Sequence, residues 1–332
     1  MQRIALMATV IMISCAGLLV AETGALFAVA EERNQEYRRL GLDFELAVLR
    51  AERQAIQARD HLDDLQAQDS MLAARLSYRR GLEEFYHDTL HRAFAVKIAR
   101  LRGRINDLQA QRATDQVRQQ ELRYQRGLAP QTELINARIA LRAALRDKQT
   151  AEWSLRDAQI AFEEANGVPW SDALHPRVGP VPEASLADWL AEDLALLRAE
   201  TAAEAALIRR ERLPRNATSF DRRIADANLE RAEFSREQAR LQSERRFQEL
   251  TRRLQVQRET IRIRMEEMDL QRALARESIA GFERGMVTAS ARDQAQVQEI
   301  QARIQVLNAE QDFLATVVTY LLGLGETPGD VW

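Results

Sequence analysis

The sequence predicts an all-α protein built of long antiparallel coiled-coil helical hairpins in two tandem repeats, and three observations carry that expectation. Tyr124-Gln125-Arg126-Gly127-Leu128 recurs as Phe282-Glu283-Arg284-Gly285-Met286, and 285 minus 127 sets the offset at 158 residues. Landmarks around each glycine keep step: Thr132 or Ser290 five residues on, Ala137 or Ala295 ten on, Gly167 or Gly325 forty on, as in a duplicated unit. Composition agrees, because 332 residues hold only 13 glycines and 7 prolines against 47 basic and 50 acidic residues, the balance of long helices more than of a compact enzyme. The third observation is the stretch from Asp221 to Arg284, which has no proline and a single glycine, Gly281. As one helix it would run roughly 96 Å, longer than any compact domain of this size contains.

Taken in order, helical character runs from about Glu31 to about Asp69. No proline or glycine lies between Gly41 and Gly81, so a reversal near Asp69-Ser70 is only weakly marked, with helix resuming from about Gly81 to Arg126. Gly127 to Pro130 is a clear break, since a proline disfavours helix in the residue before it. A second helix spans Gln131 to Asn166 and stops at Gly167. Four prolines between Gly167 and Glu183 mark a linker. Ser185 can cap a helix from Ala187 to Leu213, the stretch from Leu213 to Phe220 is a turn, and the long helix follows. After the Gly285 turn a last helix runs from about Ser290 to Leu322. The expected organisation is a leader over 1–30, a first repeat over 31–167, a linker over 168–184 and a second repeat over 185–332.

Apolar spacing says how these helices pack. Phe247, Leu250, Leu254, Ile261, Met265, Met268, Ile279 and Phe282 form one three-four seam, while Val256, Ile263 and Leu270 form a second about 200° away. The final helix also carries two stripes, Ile300, Ile304, Leu307, Leu314, Val318 and Leu321 beside Val306, Phe313, Val317 and Tyr320. Two seams require neighbours on both flanks, as in a bundle or a curved wall of helices, so a solvated monomeric hairpin is not expected.

The leader has Arg3, then a mostly apolar run from Ile4 to Ala21 followed by Glu22, with small-residue cleavage patterns at Leu19-Val20-Ala21 and Ala28-Val29-Ala30. That is the layout of a secretory signal peptide. A run of about 18 residues also reaches the lower limit for a retained inner-membrane anchor, and Met12-Ile13-Ser14-Cys15 loosely matches a lipoprotein processing site that would lipidate Cys15. Cys15 is the only cysteine, so no disulfide can staple the rest of the chain. A net charge of −3 gives no basic excess for nucleic acid.

The twice-repeated aromatic-x-Arg-Gly tip, with a hydroxyl residue five on and an alanine ten on, resembles the outer-membrane efflux protein family typified by TolC. The Ala-rich segment ending in Leu213-Pro214 is similar to that family's helix before its second pair of strands. The resemblance implies a protomer of a TolC-like α-barrel, three copies forming a periplasmic tunnel. It implies that the tips, Arg126, Gly127, Leu128 and Thr132 with Arg284, Gly285, Met286 and Ser290, meet a periplasmic adaptor protein, and through it an inner-membrane transporter. Family members also carry acidic residues just past the tip glycines; Glu133 fits, whereas the second repeat has Ala291 at that place and Asp293 as its nearest acid, so an exposed face is the expected setting of both acids. The chain departs from the family at the membrane. A pair of spanning strands needs at least twice nine to eleven residues plus a turn, but six residues separate Pro214 from Asp221, and Gln66 to Leu82 lacks sustained alternation. No transmembrane β-barrel is expected.

Catalytic chemistry is thin. His87 and His91 stand four apart with Glu84 one turn earlier, near to a His-Glu-x-x-His pattern, but Asp88 replaces the glutamate and no third ligand follows, so a solvated helix face is the expected reading. His61 and His175 are isolated, and phosphate loops, nucleophile elbows and cofactor motifs are absent, so neither an enzyme nor a cofactor or metal site is expected. Two function classes remain: a subunit of an export tunnel for efflux or type I secretion in the Gram-negative envelope, periplasmic or outer-membrane-associated, or a non-transporting structural or adaptor coiled coil anchored by residues 4–21.

Overall fold

Helix termination organises this chain. The structure, a computed structural model, describes residues 24–331; most of the leader, Cys15 included, lies outside them. Among the described residues nine α-helices follow one another: α1 (24–33), α2 (Gln35–Gln57), α3 (His61–Gln125), α4 (Gln131–Asn166), α5 (Leu186–Glu192), α6 (Leu194–Glu211), α7 (Ser219–Glu283), α8 (Ala289–Gly323) and α9 (Pro328–Val331). Among the described residues there is no β-strand, and no helix is long and apolar enough to cross a membrane.

Each stop has a local cause, and the causes recur near the 158-residue offset. Asn34 ends α1 and caps α2, its side chain accepting from the Glu36 and Tyr37 amides; Asp193 ends α5 and caps α6 through Ala195 and Leu196. Asp60 accepts from the amides of Leu62 and Asp63 at the start of α3, and Thr218 with Asp221 forms a reciprocal pair at the start of α7. The positive-φ residues among those described are Gly127, Gly167, Gly285 and Gly325, two pairs at the offset.

Two sequence expectations are corrected here. The first reversal lies at Ala58-Arg59-Asp60, not at Asp69-Ser70, because Asp60 supplies the cap; α3 runs unbroken through 69–81. Gly81 ends nothing and instead lets Leu40 pack where a Cβ would intrude. The helix expected from Ala187 to Leu213 is two helices, since Asp193 leaves the helical region at φ −74°, ψ 99°. Ser185 does cap α5, in a capping box with Asp188.

The described residues form two compact units, each drawing on both repeats: residues 24–88, 179–255 and 315–331 in one, 89–178 and 256–314 in the other. In the first unit α2 packs on α3 through Tyr37–Phe85 and Phe44–Tyr78, α3 meets α6 through Asp69–Arg198, and α6 meets α7 through Arg210–Asp226. Trp189 of α5 is buried there, donating to Ser243 at 3.0 Å, stacking on Tyr320 and meeting Phe247 at a tilt. A Cβ on Gly323 would overlap its ring.

The second unit is a layer in the order α4, α3, α8, α7. Lys148–Asp107 and Arg138–Glu121 tie α4 to α3, Arg112 ties α3 to α8, and Gln257 to the Asp312 carbonyl ties α7 to α8. The segment after α4 folds back so that His175 is buried edge-on to Phe94, 5.0 Å between ring centres. Burial, reinforced by the charges of Lys97 and Arg177, pushes its pKa down to about 4. Burial also lowers Lys97 and raises Glu310.

Helix α8, central in this layer, buries both of its stripes within the chain, Ile300, Ile304, Leu307 and Leu314 on one and Val306 and Phe313 on the other. Helix α7 does not. Leu250, Leu254 and Ile261 are buried, but Val256, Ile263 and Leu270 are exposed. The other edge helix, α4, buries Leu134, Ala137, Ala151 and Phe162 and exposes Ile135, Ile139, Trp153 and Ile160 on its opposite face. The edge helices of the first unit repeat this, with Leu42, Leu46, Leu49 and Ile56 exposed on α2 and Phe220, Ile224, Phe234 and Leu241 on α7.

Candidate docking tips

Both Arg-Gly turns belong to the second unit, and each is built by the same hydrogen bonds. At the end of α3 the Gly127 amide donates to the Tyr124 carbonyl at 2.9 Å and the Leu128 amide to the Arg123 carbonyl at 2.8 Å; after α7, Gly285 donates to Phe282 at 2.9 Å and Met286 to Gly281 at 2.8 Å. This six-to-one plus five-to-two pattern needs a left-handed residue at its centre, and Gly127 (φ 71°) and Gly285 (φ 74°) supply it without a Cβ clash. The outgoing helices start differently. Thr288 caps α8 through the Ala291 amide, whereas Pro130 precedes α4 with no side-chain cap.

The residue after each glycine is thrust into solvent: Leu128 is 65% exposed and Met286 67%. Arg126, Thr132, Arg284 and Ser290 are exposed as well. The arginines are not equivalent, since Arg284 folds back to donate to the Ala280 carbonyl of its own helix at 3.0 Å. Ser290 accepts from Arg112 at 3.0 Å, and Arg112 also donates to Gln294 at 2.7 Å. With His91 level with Gln311 along the same pair of helices, this registry sets Gly285 short of Gly127. The first tip therefore reaches farther by about nine residues, or about 13 Å at 1.5 Å per residue.

The two acids separate. Glu133 is exposed, 3.9 Å from Arg123. Asp293, expected on an open face, is 2% exposed. Arg292 beside it donates to one Asp293 oxygen from two nitrogens, at 2.8 and 2.6 Å, and lies over the Phe282 ring at 4.4 Å. The second tip is thus braced internally by Phe282, Arg292 and Asp293. No sequence signal marked this brace or Arg112, because both depend on which faces meet.

The histidine pair is corrected too. Its helix face packs on α8: His87 bonds the Ala315 carbonyl at 2.9 Å and His91 faces the Gln311 amide at 3.2 Å. Among the described residues no group of three His, Cys, Asp or Glu side chains could hold a metal ion. His61, read as isolated, pairs with Glu204 at 2.9 Å.

No family model and no curated protein matches the sequence. Solved structures do. The CmeC outer-membrane channel of Campylobacter jejuni aligns with a TM-score of 0.58 at 11% identity, over 92% of this chain and 85% of that one. The outer-membrane protein VceC of Vibrio cholerae aligns at 0.57 and 11%, over 92% and 97%, and CusC, described in terms of transmembrane channel formation, at 0.56 and 13%, over 92% of each. Tandem helical hairpins, matched Arg-Gly turns and these likenesses together make the fold TolC-like, with no strand among the described residues.

Proposed function

We propose that this chain is a subunit of a periplasmic tunnel for efflux or type I secretion, three copies closing a ring and working with a periplasmic adaptor and, through it, an inner-membrane transporter. The observation that carries this reading is the exposed apolar stripe on each edge helix of both units. An open layer with sticky flanks has two ways to bury them, pairing or ring closure, and closed rotational symmetry leaves no edge exposed. Channel proteins with the same fold support the direction of the reading. In it the tips Arg126-Gly127-Leu128 and Arg284-Gly285-Met286, with Thr132 and Ser290, present rigid apolar points to the adaptor, and Glu133 is the acid placed at the tunnel mouth. Native mass measurement of the purified protein tests the assembly: a trimer is expected, and a monomer or simple dimer across conditions would sink the tunnel.

A specific observation favours a second reading. The turns at 58–60 and 212–218 are too short for membrane strands, which suits a structural or adaptor coiled coil of the envelope. Deleting the gene separates the two. Loss of export of small toxic compounds or of a secreted polypeptide supports the tunnel, and intact export with a weakened envelope supports the alternative.

A further inference from the structure

The two small-residue patterns near the N-terminus, Leu19-Val20-Ala21 and Ala28-Val29-Ala30, compete as the point where a leader would be removed, and by residue type the second is the better match because both flanking positions are alanine. The fold argues the other way. Residues 24–33 are helical, and Leu26, Phe27 and Ala30 are completely buried. Phe27 sits edge-on to Tyr86, 4.9 Å between ring centres, and Tyr86 is itself fully buried between Phe27 and Phe85. Its hydroxyl donates to Glu31 at 2.7 Å. Glu31 in turn lies where a Cβ on Gly329 would have to stand, so α1 is wedged between α3 and the C-terminal helix α9. The Asn34 amide closes this helix on the Ala30 carbonyl at 2.8 Å.

Removing residues through Ala30 would strip Leu26 and Phe27 from this core and expose Tyr86. It would also turn Glu31 into a charged amino terminus beside the hydroxyl it accepts from. Deleting fully buried aliphatic and aromatic side chains leaves cavities that destabilise a close-packed core, so a cut after Ala30 would remove part of what holds the folded chain together.

We propose that residues 24–33 belong to the mature protein, and that leader processing is hydrolysis of the Ala21–Glu22 peptide bond. Water adds across that bond, leaving the leader with the Ala21 carboxylate and the mature chain with a free amine at Glu22. The assignment does not depend on the tunnel reading, and a failed trimer measurement leaves it standing.

The test is the intact mass of the full chain, carrying a C-terminal tag, purified from the envelope of expressing cells. The mass of residues 22–332 is expected. A chain beginning at Glu31 overturns the proposal, and so does one that keeps residues 1–21 or begins at a lipidated Cys15. Two substitutions sharpen it: Ala21→Leu should leave the leader attached, whereas Ala28→Leu, at an exposed position, should leave the chain starting at Glu22, its processed mass raised only by the three carbons and six hydrogens the substitution adds, with the melting temperature unchanged. If Ala28→Leu blocks processing, the cut is at the second pattern. A deletion of 22–30 that joins Ala21 to Glu31 should lower the melting temperature by ten degrees or more or abolish accumulation; a deletion variant as stable as wild type would show that the helix is dispensable.

Discussion

Replacing Val256, Ile263 and Leu270 together by serine should dissolve the assembly while sparing the protomer. These side chains are 66%, 47% and 58% exposed in the single chain. Completing the burial of a large aliphatic side chain is worth about 1.5–3 kcal/mol, so their exposed fractions are worth together about 3–4 kcal/mol at each interface. That is a factor of several hundred in each association constant. Protomer stability should change little, because the buried seam of the same helix, Leu250, Leu254 and Ile261, is untouched. Sedimentation velocity over a concentration series, with circular dichroism at each point, reads both quantities. The wild type should sediment as a trimer and the triple variant as a helical monomer at micromolar concentration. If the variant keeps the wild-type mass, the stripe is not an interface and the inference from exposed seams to ring closure is wrong. A variant that unfolds would show instead that the stripe supports the protomer.

Other consequences can be checked on the same preparation. His175 has its pKa held down to about 4 by burial and by Lys97, so below its unfolded value of about 6.5 the unfolded chain takes up a proton that the folded chain refuses. Stability should therefore fall as pH drops from 6.5 towards 4, by about 3 kcal/mol in all, and in urea titrations His175→Leu should flatten that slope. Gly323→Ala should cost about 1–3 kcal/mol, because the added methyl meets the flat Trp189 ring rather than a movable chain end; calorimetry showing an unchanged melting temperature would refute that packing. Arg292→Ala should destabilise by about 1–3 kcal/mol, because Asp293 stays buried without its donor, whereas a lesser loss would mean that water reaches the carboxylate.

How much was legible depended on whether a feature is local. Gly167 ends α4 where its sequence position says it should, since a left-handed stop depends on a single residue. The Asp60 and Asp193 stops were missed because aspartate is common on helix surfaces and becomes a cap only when its backbone turns out of the helix. The tips were visible as a repeated motif, but their inequality was not. Arg284 folded onto its own helix, Arg112 across to Ser290 and Asp293 drawn into the hairpin all depend on which faces meet.

By itself, then, the sequence determined the duplication, the helical class, the absence of room for membrane strands between Pro214 and Asp221, and the two seams on α7 and α8. These follow from periodicity and from chain length, which no packing can alter. Only the tertiary structure decided which seams are already used. Helix α8 lies between α3 and α7 and buries both stripes, while α7 at the edge of its layer keeps one bare, because a helix finds two partners within one chain only when it lies in the interior of the layer. The same packing buried Leu26 and Phe27, residues whose composition alone reads as leader.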